Sequence, residues 1–233
     1  MLLFNDYPLD SPKRTFIHHF QAFYYIFVLA GYWLSSVFNP QILDLQQRGA
    51  LAVGIKMDNN YVKKSRKYAI ALRLLYIGTN IVAPLVQQDN KLEALAHIMV
   101  MGISSSLALS VLFALSHNFE HVDRDPTYSA RKTGEPVCWF KSQVETSSTY
   151  GGFIAGYLTG GLNFQVEHHL FPRMSSAWYP YIAPKVREIC AKHGVKYAYY
   201  PWVHQNLIST VKYLHQAGTG SNWLKGNPYT GEL

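Results

Sequence analysis

The chain has 233 residues, 48% of them hydrophobic and only 15% charged, with a net charge of +7. So little charge leaves much surface that need not face water, while a mean hydropathy of -0.05 excludes a chain that is membrane throughout. The basic balance suits an anionic membrane leaflet or nucleic acid, and two cysteines, Cys138 and Cys190, exclude a disulfide framework or a thiolate metal cluster and are expected to stay reduced.

In chain order, Met1 opens a short apolar run that Asn5 and Asp6 end at once, so no signal peptide is expected. The segment "FIHHFQAFYYIFVLAGYWLSSVF", 16–38, either spans a bilayer or lies in its interface. "YAIALRLLYIGTNIVAPLVQ", 68–87, and "ALAHIMVMGISSSLALSVLFAL", 94–115, each approach the roughly 20 residues needed to span. The short polar turn "QDNKLE" between them predicts a helical hairpin. Arg73 is expected to snorkel to the interface and Pro84 to kink the helix. Gly102, Ser104, Ser105 and Ser106 suit close helix packing.

Lys56, Lys63, Lys64, Arg66 and Lys67 precede the hairpin, and Arg124, Arg131 and Lys132 follow it, with Lys91 alone in its turn. Both open ends are therefore expected on the cytoplasmic side. The same clustering accounts for the basic charge without nucleic acid.

Residues 123–233 are expected to be water-exposed, and 123–137 read as a turn-rich loop. "PKVREICAKHG" predicts a helix with Pro184 in its first turn and Gly194 as its stop. "HQNLISTVKYLHQAG" predicts a second amphipathic helix with Leu207, Val211 and Leu214 on its inner side. The tail from Thr219 reads as loosely ordered.

Two clusters could carry chemistry. In "NFQVEHHLFP", 163–172, Gln165, His168 and His169 stand at i, i+3 and i+4 and share a helix face. They suit either metal ligation or a pair of interfacial histidines bonded to backbone carbonyls. In "SHNFEHVDRD", 116–125, His117 and His121 stand at i and i+4 just past the third apolar segment, with Glu120, Asp123 and Asp125 nearby. Both clusters fall on one side of the membrane, which suits a non-haem iron site. His18 and His19 of "IHHF" are expected to be interfacial rather than ligands, His97 to be packing, and His193, His204 and His215 to be surface residues.

"QVEHHLFP" resembles the third histidine box, QxxHH, of front-end fatty-acid desaturases. "SHNFE" after an apolar segment, then "GGLNFQVEHHLFPRM", then "HGVKYAYYPW" follow that family's order. The resemblance runs from about "HHFQAFYY" to "GTGSNW" and is closest to the delta-5 type. It implies an all-α membrane protein: a helical hairpin in the bilayer with a cytoplasmic helical cap carrying a histidine-rich di-iron site. The implied layout is 1–67 interfacial or membrane helix and basic loop, 68–116 hairpin, 117–218 catalytic cap and 219–233 tail.

The resemblance further implies His168, His169 and His117 as iron ligands, with Gln165 and His121 as possible additional ones and Asn118 orienting His117 by a hydrogen bond. Dioxygen and electrons from cytochrome b5 would be used to place a cis double bond near the carboxyl end of a polyunsaturated acyl chain carried on phospholipid or coenzyme A. The implied location is the endoplasmic reticulum, multi-pass, with the histidines facing the cytoplasm and membrane lipid as partner. The family's two earlier histidine boxes and the "HPGG" motif of a cytochrome b5 domain have no counterpart before residue 117. The chain is therefore expected to be the C-terminal part of a desaturase, supplying four or five iron ligands. The competing readings are a related membrane hydroxylase, against which QxxHH argues, and a non-catalytic membrane protein derived from a desaturase.

Overall fold

The computed structural model describes residues 15–38, 60–120 and 138–219, together with Val122, Gly134 and Pro136. The expectations for the N-terminal run, the 123–137 loop, the tail beyond Thr219 and His121 lie outside the described residues. So do those for Lys56, Arg124, Arg131, Lys132 and the side chains of Lys63, Lys64 and Arg66. The chain divides into two compact units, residues 27–110 and residues 1–26 with 111–233.

The 27–110 unit is helical among its described residues. The 3-10 turn Phe16–Phe20 and the start of α1 (Gln21–Ala30) belong to the other unit; α1 runs on into this one and meets α2 (Tyr32–Phe38) at a 45° bend. The next helix, α3 (Asn60–Ile77), starts eight residues before the apolar segment that predicted it. It runs through a π-helical turn, Gly78–Val82, into α4 (Ala83–Gln87). Pro84 has no N–H to offer the carbonyl of Asn80, and the wider turn lies just ahead of it. Asn80 and Thr79 donate instead to the carbonyls of Tyr76 and Leu75, at 3.1 and 2.9 Å.

α5 (Lys91–His117) begins where Asn90 accepts from the N–H groups of Leu92 and Glu93, at 3.1 and 3.4 Å. Lys67–Gln87 and Lys91–His117 are both long and apolar enough to cross a membrane, and the bent α1–α2 pair makes a third candidate.

Small residues on α5 admit the indole of Trp33. A Cβ on Gly102 would collide with that ring. Ser106 accepts from the Trp33 N–H at 3.0 Å and donates to the Leu29 carbonyl at 2.5 Å. Ser104 and Ser105, expected to join this packing, are exposed instead. Arg73 does not snorkel freely: its guanidinium donates to the Ser36 carbonyl near the end of α2 at 3.1 Å, where a helix terminus carries partial negative charge.

The other unit mixes helices with a small sheet. Its elements are α6 (Trp139–Glu145), β1 (Ser148–Tyr150), α7 (Gly152–Thr159), α8 (Gln165–Leu170), α9 (Tyr179–Lys192), β2 (Ala198–Tyr200) and α10 (Val203–Thr219). The strands pair in parallel, Ser148 with Ala198 through Tyr150 with Tyr200. The chain is thus mostly helical rather than strictly all-α. A two-stranded sheet is marginal alone, but β1 is wholly buried. Val144, Val166, Val186 and Cys190 form one apolar cluster, and Phe164, Tyr179 and Ala183 another.

Two predicted helices need revision. α9 starts at Tyr179, so Pro180 occupies the first turn and Pro184 lies inside the helix. Gly194 follows it at φ +66, a conformation glycine adopts without steric cost. The inner face of α10 is Asn206, Thr210, Tyr213 and Leu214, while Leu207 and Val211 are exposed. Asn206 turns inward because it has work there: it donates to the Leu115 carbonyl and to Ser148. Gln21, also fully buried, donates to the Leu214 carbonyl at 2.8 Å.

The Trp33 contact makes a stability prediction. Gly102→Ala should cost about 1–3 kcal/mol through overpacking, whereas Gly78→Ala, which meets nothing within 4 Å, should change stability by no more than about 0.5 kcal/mol. Thermal unfolding of detergent-solubilised protein measures both; equal effects would refute the contact.

Candidate metal centre

His117 is the last residue of α5. Its Nδ1 lies 3.4 Å from the Thr146 carbonyl. α8 approaches from the other side. It starts after Phe164, which bridges Thr149 of β1. It ends because Phe171 precedes Pro172, and a residue before proline avoids helical backbone.

The short helix is sharply two-faced. Val166 and Glu167 are fully buried, Gln165 is nearly so, and His169 meets His117. The His169 ring stacks on His117 with centroids 5.3 Å apart and planes at 28°. Gln165 places its amide nitrogen 3.1 Å from His169 Nε2, and His169 Nδ1 lies 3.3 Å from the Gln143 carbonyl. His168 is the outer member, exposed, 6.2 Å ring to ring from His169 and 3.5 Å from the Tyr179 hydroxyl.

Both Nδ1 contacts are with backbone carbonyls. A neutral imidazole in that position keeps its hydrogen on Nδ1 and its lone pair on Nε2. Metal-binding histidines are commonly oriented in this way. Burial, then the neighbouring His117, pushes the His169 pKa below the ordinary histidine range. That favours the neutral, ligating form. Turning the Gln165 amide over would bring its oxygen beside the same Nε2.

The donor types and their anchoring therefore fit a transition metal. Among the described residues, no three His, Cys, Asp or Glu side chains form a group that could hold an ion. What the chain brings together is His117, His169 and Gln165, with His168 at the edge.

The remaining candidates are placed elsewhere or lie outside the described residues. Asn118 donates to the Ala114 carbonyl at 3.0 Å, closing the turn that carries His117. The Glu120 carboxylate sits 3.7 Å from Lys212 of α10. His121 is outside the described residues. His18 is buried and accepts from the Thr15 N–H at 3.0 Å, so it caps the 3-10 turn, while His19 is exposed. His97, expected to be packing, is exposed, with Nδ1 3.5 Å from the Gln88 amide. His193, His204 and His215 are exposed as expected.

Sequence reasoning passed over Glu167. It is fully buried, accepting from the Thr149 hydroxyl at 2.9 Å and from the Tyr197 hydroxyl at 2.5 Å. These bonds tie α8 to β1 and to the segment before β2. The signal was present: residues 146–166 contain no Asp, Glu, Lys or Arg, and an acid ends that stretch inside the histidine motif. Burial pushes the Glu167 pKa up, opposed by its two hydroxyl donors and by Arg187. The Tyr197 hydroxyl is raised too, by burial and then by the adjacent carboxylate.

A family model described as "Fatty acid desaturase" matches residues 3–201. An acyl-lipid (7-3)-desaturase of Diacronema lutheri is 39% identical over 68% of this chain and 35% of its own length. A second acyl-lipid (7-3)-desaturase, of Rebecca salina, is 34% identical over 64% of this chain and 34% of its length. Delta(5) fatty acid desaturase A of Dictyostelium discoideum is 23% identical over 94% of this chain and 48% of its length. The chain spans about a third to a half of these curated relatives. No solved structure matches.

Glu167→Ala should destabilise the protein by about 1–3 kcal/mol, because two buried hydroxyls lose their acceptor. Glu167→Gln should cost less. A raised folded-state pKa means the group's contribution is greatest below its unfolded pKa and falls as pH rises through the folded value. The Gln variant should lack that decline. Thermal unfolding across mildly acidic to neutral pH reads all three proteins, and an identical pH profile for wild type and Gln would contradict the assignment.

Proposed function

The chain belongs to the fatty acid desaturase family, and we propose that the protein carrying it places a cis double bond near the carboxyl end of a long polyunsaturated acyl chain. The observation that carries this reading is the meeting of His117 with His169 and Gln165 at the end of a helix apolar enough to cross a membrane. Acyl chains reside in bilayers, and a metal site at the end of a span stands near their carboxyl ends.

In this reading His117, His168 and His169 hold iron through ring nitrogens, and Gln165 adds a weak amide-oxygen donor. His121, which lies outside the described residues, would be an additional ligand only beside these, and Asn118 would steady the turn that carries His117. When bound, a di-iron centre would supply dioxygen activation and the removal of one hydrogen from each of two adjacent methylenes, with electrons from cytochrome b5. The chain's own contribution is orientation. The Thr146 and Gln143 carbonyls hold the Nδ1 sides, and the Glu167 bonds to Thr149 and Tyr197 hold α8.

The substrate is an acyl lipid, on phospholipid or coenzyme A, and the surroundings are a multi-pass membrane location, the endoplasmic reticulum, with the histidines cytoplasmic. The activities for which the relatives are named bear on regiochemistry. Delta(5) relatives support delta-5 insertion. The (7-3) names belong to relatives of higher identity and favour (7-3) insertion as a second reading.

Expression of the whole protein in yeast fed long polyunsaturated acids tests the proposal, with the new double bond located by mass spectrometry. The wild type should form product. His117→Ala, His168→Ala and His169→Ala should each lower it by about 100-fold or more, at or beyond the upper end of losses seen when supporting residues of metal sites are removed. His18→Ala should retain most of it. Product from a His169→Ala variant at wild-type level would remove that residue from the ligand set.

A further inference from the structure

Among the described residues, α7 has a character that the metal site does not explain. Its outward face is Phe153, Ile154, Tyr157 and Leu158, with relative exposures of 62%, 74%, 84% and 77%. Its inward face is small: Ala155 and Gly156 are buried, and a Cβ on Gly156 would strike the Phe164 ring. An eight-residue helix that buries its small residues and exposes its large apolar ones is inverted relative to a water-facing surface helix. The charge-free stretch 146–166 encloses it completely.

Its surroundings say what covers that face. On the N-terminal side, Ser148 donates to the Leu115 carbonyl at 3.1 Å, and the Tyr150 hydroxyl to the Leu112 carbonyl at 3.4 Å. On the C-terminal side, the Ser116 hydroxyl reaches the Leu162 carbonyl at 3.5 Å. Both flanks of α7 are thus tied to the last two turns of α5. α5 has 27 residues. At about 1.5 Å per residue it measures ~40 Å, longer than the roughly 30 Å hydrocarbon core. Its last turn carries His117 and leads into Asn118 and Glu120.

Tryptophans bracket α7 as well. Gly151, at its start, lies against Val203, next to Trp202, which is 64% exposed; Gly161, past its end, lies against Ser176, two residues before Trp178, 61% exposed. Exposed tryptophan beside apolar surface is the composition of a membrane–water boundary.

We propose that α7 lies in the headgroup–acyl boundary of the same bilayer that α5 crosses, with Trp178 and Trp202 at its rim. The inference rests on reading α5 as a span. α7 then sets the depth of the histidine face: α8, which follows it directly, is held at the membrane surface, where the carboxyl end of an acyl chain lies.

The test places an environment-sensitive fluorophore on single introduced cysteines in the whole protein, with Cys138→Ser removing the exposed native thiol. Cys190 is buried. The protein is reconstituted in phosphatidylcholine vesicles that carry nitroxide lipids, labelled near the headgroup or deep in the acyl chain. Leu158→Cys and Tyr157→Cys report α7, Ser104→Cys reports the middle of α5, and Lys185→Cys on α9 reports a water-facing surface. All four sites are exposed, so labelling removes no packed atom.

Labels at 157 and 158 should be blue-shifted and quenched at least twofold more by the shallow nitroxide than by the deep one. The label at 104 should be quenched by the deep nitroxide, and the label at 185 by aqueous iodide alone. Iodide quenching at 157 and 158 like that at 185, with 104 still lipid-quenched, would overturn the proposal. So would shielding from both iodide and nitroxide, which would mean that a protein surface or a second copy covers α7. Loss of lipid quenching at 104 would instead overturn the membrane reading of α5, and the proposal with it.

Discussion

A helix that stops inside protein leaves its last carbonyls without partners, and those groups must find donors elsewhere. The end of α5 is such a place. The Ala114 carbonyl accepts from Asn118 by both backbone and side chain, at 2.9 and 3.0 Å. The Leu115 carbonyl accepts from Ser148 and from Asn206, at 3.1 and 3.0 Å. Each bond fixes one neighbour: Ser148 fixes β1, and Asn206 fixes α10. Through β1, Thr149 reaches Glu167 and so α8. The residue that terminates this helix is His117, so satisfying the helix end also brings His117 against the His169 ring.

The same constraint explains why a polar side chain occupies a position that periodicity would give to leucine. Asn206 is fully buried on α10, while Leu207 and Val211 are exposed. Apolar periodicity predicts which face a helix buries only when the neighbouring surface is apolar. Here the neighbouring surface includes unpaired carbonyls, and hydrogen bonding decides. The Gln165–His168–His169 spacing on one helix was legible because helical periodicity alone sets it, and the helices long and apolar enough to cross a membrane were legible because length and apolarity define them.

Other features depended on distant residues and were not legible. The β1–β2 pairing joins segments fifty residues apart, Ser148 with Ala198, and no local pattern encodes it. Glu167 needed Thr149 and Tyr197 before its burial made sense. The start of α9 moved because Pro180 and Pro184 are equally acceptable as first-turn signals in isolation. Packing of Tyr179 at 3% exposure chose the earlier one.

Iron K-edge X-ray absorption on the whole protein tests the shared histidine site most directly. If His117 and His169 ligate together, the metal should show imidazole scattering that weakens in His117→Ala and in His169→Ala alike, with His18→Ala matching wild type. Scattering unchanged by either of the first two substitutions would contradict a site built from the end of α5 and the face of α8.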